Sequence, residues 1–299
     1  MKIGIIGGGS IGLLFAYYLS GKHDVTLYTK TRDQASLIQS EGIHVIKGEE
    51  QLHARFEAFP IDEWNETCDI TIVSVKQYQL SGLLAKLHSR MAGGGCYLFL
   101  QNGMSHLTGL SDLKASRIYV GSVEHGAAKI NGNTVRHNGN GITRAAVFKG
   151  NPDLLAVFSS SVPPSFPVAI EKDYHKMLVN KLIVNAVINP LTAVLRVPNG
   201  ELADNPFYFD LLKLLFEEVA DSLDIDCKWE QFQNVVAVCK KTSQNRSSML
   251  KDVEEGRPTE IDAILGYCLE SAEERKIETP LMRAFYSCIK GREYKREGN

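Results

Sequence analysis

Three glycines, Gly7, Gly9 and Gly12, close the apolar run Lys2–Ile6 without a spacer and open a helical stretch at residues 10–20. At such a junction glycine permits a tight turn, close approach of the backbone to a pyrophosphate, and packing of helix on strand. The first N–H groups of the helix meanwhile face an anion. Strand, glycine loop and helix in that order begin a βαβ unit that binds a dinucleotide, with Gly7, Gly9, Ser10, Ile11 and Gly12 as its loop contacts. A glycine-rich turn without a ligand is the bland alternative.

The alternation continues. β-rich runs at 2–6, 24–28, 69–75, 96–100 and 117–122 are separated by helical periodicity at 10–20, 33–40 and 80–91, which implies a parallel, doubly wound, Rossmann-type α/β sheet. Between 124 and 148 the runs shorten around Asn131-Gly132-Asn133 and Asn138-Gly139-Asn140-Gly141, as expected of antiparallel hairpins closing that sheet. Pro163, Pro164 and Pro167 mark a junction, giving an N-terminal domain of residues 1–167. The remainder, 168–299, reads as all α, with helices at 173–197, 206–223, 228–242, 259–275 and 280–290 and a frayed charged tail at 290–299.

Composition limits the partners. The 299 residues are 44% hydrophobic and 23% charged, with 33 Lys plus Arg against 35 Asp plus Glu and a formal charge of −2. That leaves no positive field for nucleic acid or an anionic membrane, so a small molecule is the expected partner, with a homodimer left open. The six cysteines form no CxxC pair and have no histidine at zinc-site spacing, so free thiols in the cytoplasm and no metal are expected. Lys2 followed by an apolar run imitates a short signal peptide, but four glycines interrupt it and no cleavage site follows. No other stretch approaches the 18 or so apolar residues of a membrane span.

The end of the second strand reads Tyr28-Thr29-Lys30-Thr31-Arg32, without the acid that would accept the ribose hydroxyls of NAD. Lys30 and Arg32 instead suit a 2′-phosphate, so NADP(H) is favoured. Lys76 and Gln79 follow the strand at 69–75, at the carboxyl edge where such sheets bind ligands. Asn102-Gly103 follows the next strand at the same edge.

In the long apolar helix at 173–197, Lys181, Asn185 and Asn189 recur every four residues and drift only about 80° around the axis, so they line one face. Lys176 and Asn180 form a competing pair about 140° away. Asn189 precedes Pro190, where a kink or reset of the helix is expected. Thr259 and Asp262 resemble a capping box, with Glu260 complementing a helix dipole. His125 is expected to be a solvated loop residue.

Taken together, GGGSIG at the start, Gln101-Asn102-Gly103-Met104, the stretch from Lys181 through Asn185 and Asn189 to Ala193, Pro198-Asn199-Gly200-Glu201, Ser247-Ser248-Met249-Leu250 and Thr259-Glu260-Ile261-Asp262 resemble the ketopantoate reductase family over nearly the whole chain. The resemblance implies an NADP-binding Rossmann-type domain followed by a helical domain like the C-terminal one of 6-phosphogluconate dehydrogenase. It implies NADPH-dependent reduction of ketopantoate (2-dehydropantoate) to (R)-pantoate, on the route to pantothenate and coenzyme A, in a cleft between the domains. By this resemblance Lys181 is the catalytic lysine and Glu260 the second essential residue. Asn102, Asn185, Asn189, Asn199 and Ser248 match substrate positions, and Lys30, Lys76 and Gln79 match cofactor contacts, with Arg32 sharing or replacing Lys30. Hydride transfer to a 2-oxo acid builds negative charge on the C2 oxygen, which an ammonium stabilises and protonates. Glu260 would accept the C4 hydroxyl at the far end. The alternatives are another NADP-dependent 2-oxo acid or β-hydroxyacid dehydrogenase, or a non-catalytic NADP-binding sensor.

Overall fold

The computed structural model describes residues 1–88, 90–91 and 93–294. The chain forms two compact units: residues 1–101 with 106–177, and residues 102–105 with 178 onwards.

In the first unit, β1 (Lys2–Ile6), α1 (Ser10–Ser20), β2 (Asp24–Thr29) and α2 (Arg32–Glu41) start the expected alternation. Three strands not foreseen from the sequence follow: β3 (Ile43–Lys47), β4 (Glu50–Ala54) and β5 (Glu57–Pro60). β6 (Ile70–Val73), α3 (Gln77–His88), β7 (Cys96–Phe99), α4 (His106–Ser111) and β8 (Arg117–Val123) complete the doubly wound part. The run β5-β2-β1-β6-β7-β8 is parallel throughout, and the strand order reverses between β1 and β6. β1, β6 and β7 are buried almost along their whole length, as apolar strands covered on both faces must be. Ligands bind such sheets where the order reverses. The loops after β1 and β6 meet there, through Ser74 N–H to Ile6 O (2.9 Å) and Ser74 Oγ to Gly7 O (3.2 Å).

The segment expected to close this sheet as hairpins does so only in part. β9 (Gly126–Lys129) and β10 (Thr134–Gly139) pair antiparallel, but they join β3 and β4 in a separate four-stranded sheet, order β4-β3-β10-β9. Only β11 (Thr143–Lys149) extends the main sheet, antiparallel to β8. After α5 (Asp153–Ser161), β12 (Val168–Ile170) adds an edge strand beside β11. Residues 168–170 therefore belong to the first unit, and the division falls at 177/178 rather than after 167. The prolines punctuate the approach to a strand, not the end of the unit.

The second unit is helical: α6 (Tyr174–Leu195, from residue 178), α7 (Glu201–Asp204), α8 (Pro206–Ser222), α9 (Lys228–Lys241), α10 (Ser248–Glu254), a π-helical turn (Asp262–Gly266), α11 (Tyr267–Glu274) and α12 (Pro280–Glu293). α6 is long and apolar enough to cross a membrane by length and composition, contrary to the expectation that no such stretch exists. Its most apolar window is 67% buried inside the protein, the mark of a core helix. It also runs unbroken through Pro190. Near that missing N–H, the Thr192 hydroxyl donates to the Ile188 carbonyl (2.8 Å) and meets Ser247 Oγ (2.7 Å). Lys290 is helical rather than frayed and reaches Asp262 Oδ2 at 2.9 Å; residues 295–299 of the expected tail lie outside the described residues. All six cysteines are free, and burial pushes the Cys96, Cys239 and Cys268 thiols up to about 12.

Candidate functional site

The glycine loop is built for two different reasons. Gly7 has φ +119, and a Cβ on Gly12 would lie 1.8 Å from the Gly7 carbonyl oxygen, so turn and packing require both. Gly9 has an ordinary φ of −83, and a Cβ there would meet nothing within 4 Å. Nothing among the described residues demands a glycine at 9, whereas a ligand approaching the backbone would. The helix it precedes, starting at Ser10 and Ile11, has no side-chain cap and no acid in its first turn. Uncapped N–H donors under an open glycine fit a pyrophosphate.

At the end of β2 the hydroxyls are already committed. Thr29 donates to Thr31 O (2.8 Å), and Thr31 Oγ1 caps α2 by accepting from Gln34 N–H (3.3 Å). Lys30 is exposed. Arg32, expected to stand beside it, donates instead to Glu63 Oε1 at 2.8 Å in an exposed ion pair. Lys76, half-buried, leads into α3, and its carbonyl accepts the Gln79 N–H at 2.9 Å. Buried Gln101 braces this segment by donating to the carbonyls of Val73 (3.1 Å) and Val75 (3.0 Å). The sequence signal for that brace was a lone amide closing an otherwise apolar strand.

In the second unit, α6 presents Lys181 and Asn185 half-buried and Asn189 buried. Eight positions of helix span about 12 Å, the length of a small metabolite. The competing pair is used otherwise: Asn180 Oδ1 accepts from Gln231 Nε2 (2.9 Å), tying α6 to α9. Lys176 is exposed in the first unit.

Glu260 is 6% exposed, and its Oε2 accepts from Asn102 Nδ2 at 2.9 Å. Residues 102–105 pack with the helical unit because Gly103, at φ +77, lies flat on the π-helical turn; a Cβ there would sit 2.1 Å from the Ala263 carbonyl oxygen. π-turns inside helices recur at functional sites. The capping box expected around Glu260 is absent in that form. Thr259 Oγ1 accepts from Ile261 N–H (3.2 Å) and donates to Glu293 (2.6 Å), while Asp262 turns to Tyr286 and Lys290.

Two further residues differ from one another. Ser247, buried, caps α10 through Leu250 N–H (3.0 Å), which leaves the neighbouring Ser248 exposed. Asn199, also buried, donates to Thr242 Oγ1 (2.8 Å), and its own Oδ1 is buried without a partner among the described residues.

His125 is a correction. It is buried rather than solvated, stacked on Phe166 with ring centroids 4.1 Å apart. Its Nδ1 accepts from Gly141 N–H (3.1 Å) and lies 3.3 Å from His137 Nε2, while Tyr18 Oη meets His137 Nδ1 at 2.9 Å. Burial, then His137 and Lys47, push His125 down to about 4, so near pH 7 it is a neutral imidazole and not an imidazolium acid. Among the described residues no His, Cys, Asp and Glu cluster could hold a metal ion.

The ketopantoate reductase PanE/ApbA family model matches residues 3–150, and the model of its C-terminal part matches residues 173–293. The 2-dehydropantoate 2-reductase of Bacillus subtilis is 44% identical over 295 residues, covering 98% of both chains. A crystal structure of a probable 2-dehydropantoate 2-reductase from the same organism superposes with a TM-score of 0.89 over 98% of this chain and 100% of that one. D-Mandelate dehydrogenase, solved with NADH and anilino(oxo)acetate, shares the fold at a TM-score of 0.89 and 21% identity, covering 98% of both chains.

Proposed function

This chain belongs to the ketopantoate reductase family, and we propose on that footing that it reduces ketopantoate to (R)-pantoate with NADPH, Lys181 acting on the substrate carbonyl and Glu260 on its C4 hydroxyl. The observation that carries the reading is the 44% identity over 98% of both chains. When bound, NADPH supplies the hydride; the loop of Gly7, Gly9, Ser10, Ile11 and Gly12 would hold its pyrophosphate, Lys30 its 2′-phosphate, and Lys76, Gln79 and Asn102 the remainder.

The chain's own residues do the rest. As the C2 carbonyl is reduced, negative charge grows on its oxygen, and the Lys181 ammonium stabilises that charge and delivers the proton. Asn185 and Asn189, on the same helix face, orient the substrate. Ser248 is available to the carboxylate end, because Ser247 alone serves as the helix cap. Asn199 supports the turn after α6 through Thr242 and offers its unpartnered Oδ1 to a substrate hydroxyl. Asn102 holds Oε2 of the buried Glu260 carboxylate, and the C4 hydroxyl is proposed to donate to that same carboxylate. A keto acid lacking that hydroxyl would forgo this charge-assisted hydrogen bond and react more slowly.

The chain is proposed to work in the cytoplasm, consistent with six free thiols. A homodimer is proposed as well: Phe207, Leu214 and Trp229 stand exposed on the helical unit, and light scattering should return twice 33.1 kDa. The function itself is tested by product: NADPH and ketopantoate incubated with the purified chain should yield (R)-pantoate on chiral chromatography. Absence of pantoate with the cofactor bound would overturn the assignment.

A further inference from the structure

Lys129 closes β9 in the four-stranded sheet, and its Nζ donates to the Gly8 carbonyl oxygen at 2.9 Å. The same oxygen receives Gln34 Nε2 at 2.8 Å, and that amide nitrogen also reaches the Gly132 carbonyl at 2.7 Å. One carbonyl of the glycine loop is thus held by two side chains from outside the β1-loop-α1 unit. Gly8 itself is shaped by this contact, since a Cβ there would fall 2.6 Å from the Gln34 amide nitrogen.

The consequence follows from peptide planarity. The C=O of Gly8 and the N–H of Gly9 belong to one trans peptide unit and point in opposite directions. Holding the oxygen toward Lys129 and Gln34 therefore aims the Gly9 N–H to the other side. That N–H donates to no acceptor among the described residues, and the space at Gly9 is open. Were the peptide free to rotate, it could present its carbonyl oxygen to an incoming anion and repel it. Lys129 also brings a full positive charge to the loop, with no carboxylate bonded to it among the described residues.

We infer that Lys129 and Gln34 are positioning residues for the cofactor's pyrophosphate, acting through the Gly8–Gly9 peptide to fix its N–H in the anion-accepting orientation. The inference rests on the NADPH reading above. It also makes a demand of its own: the effect belongs to the phosphate bridge and not to the 2′-phosphate, whose proposed partner is Lys30.

Calorimetric titration of the full chain with NADPH, ADP and adenosine 2′-phosphate separates the two ends. Lys129→Met and Gln34→Met should each weaken NADPH and ADP by about tenfold and leave adenosine 2′-phosphate within about twofold. Lys30→Ala should instead weaken NADPH and adenosine 2′-phosphate and leave ADP within about twofold. KM for NADPH should rise by a similar factor while kcat at saturation changes little, and Lys129→Arg should recover much of the loss because a guanidinium can donate to the same carbonyl. The melting temperature of the unliganded variants identifies any that fold poorly; Lys129 is exposed, so Lys129→Met keeps the test available if Gln34→Met does not fold. Unchanged ADP affinity in Lys129→Met, or equal losses for ADP and adenosine 2′-phosphate, would overturn the inference. Failure of the unmodified chain to bind NADPH would instead overturn the reading beneath it.

Discussion

Asn102 and Glu260, 158 residues apart, are joined by a hydrogen bond of 2.9 Å from the amide to Oε2. The contact depends on Gly103, whose positive φ and lack of a side chain let the loop lie against the Ala263 carbonyl. If the pair acts as a unit, Asn102→Ala and Glu260→Gln should be strongly non-additive in kcat/KM for ketopantoate, with a coupling of about 0.5–3 kcal/mol. Gly103→Ala, which touches neither side chain, should reproduce most of the Asn102→Ala loss. Additive losses in the double variant would mean the two residues serve separate ends of the site.

Glu260 has two contrasting roles to be told apart. As a helix-dipole partner only, Glu260→Gln should cost up to about 1 kcal/mol of stability and spare turnover. As the acceptor of the C4 hydroxyl, it should barely alter the melting temperature and sharply reduce kcat/KM for ketopantoate, with a much smaller loss for the deoxy analogue. Equal losses on both substrates would exclude the hydroxyl contact.

Coenzyme preference should reside in Lys30. Arg32 already pairs with Glu63, whose carboxylate offsets its charge toward a phosphate, whereas exposed Lys30 has no acid bonded to it among the described residues. Fluorescence titration should find NADPH bound more tightly than NADH, the gap narrowing with Lys30→Ala and persisting in Arg32→Ala. The opposite ranking would move the 2′-phosphate to Arg32.

Acid should destabilise the first unit through its buried histidines. Burial pushes His106 and His125 down from an ordinary 6.5 to about 4. Below pH 6.5 the unfolded chain takes up these protons and the folded chain does not, so stability is full above 6.5 and falls as the pH drops toward 4. Over 2.5 pH units at about 1.36 kcal/mol per unit, each accounts for about 3 kcal/mol. The two together rival a sizeable part of a domain's net stability of roughly 5–15 kcal/mol. Neither ring nitrogen of His106 has a partner among the described residues, so His106→Leu should flatten the melting-temperature profile between pH 6.5 and 4. An unchanged profile would assign the acid sensitivity elsewhere.

What could be read from the sequence followed the reach of each signal. The glycine loop, the parallel strands and the long helices are local patterns, and they stand where expected, as does the Lys181 face of α6. β3, β4 and β5 escaped because short strands such as Glu50–Ala54 are half-polar and acquire their identity from pairing with distant partners. His125 is not legible as buried because its burial comes from Phe166 and His137, neither of them near it in a local pattern. The Asn102–Glu260 pair and the Lys129–Gly8 contact join positions more than a hundred residues apart, and no periodicity encodes either.

The account turns on Lys181, and its kcat decides it. With NADPH and ketopantoate saturating, Lys181→Ala should lose about 10²–10⁴-fold in kcat, the range for a positioned proton donor, while its NADPH affinity stays near that of the unmodified chain. Lys176→Ala, on the exposed face, should keep nearly full turnover. Retention of most activity by Lys181→Ala, or an equal loss in Lys176→Ala, would contradict the chemistry assigned to this helix.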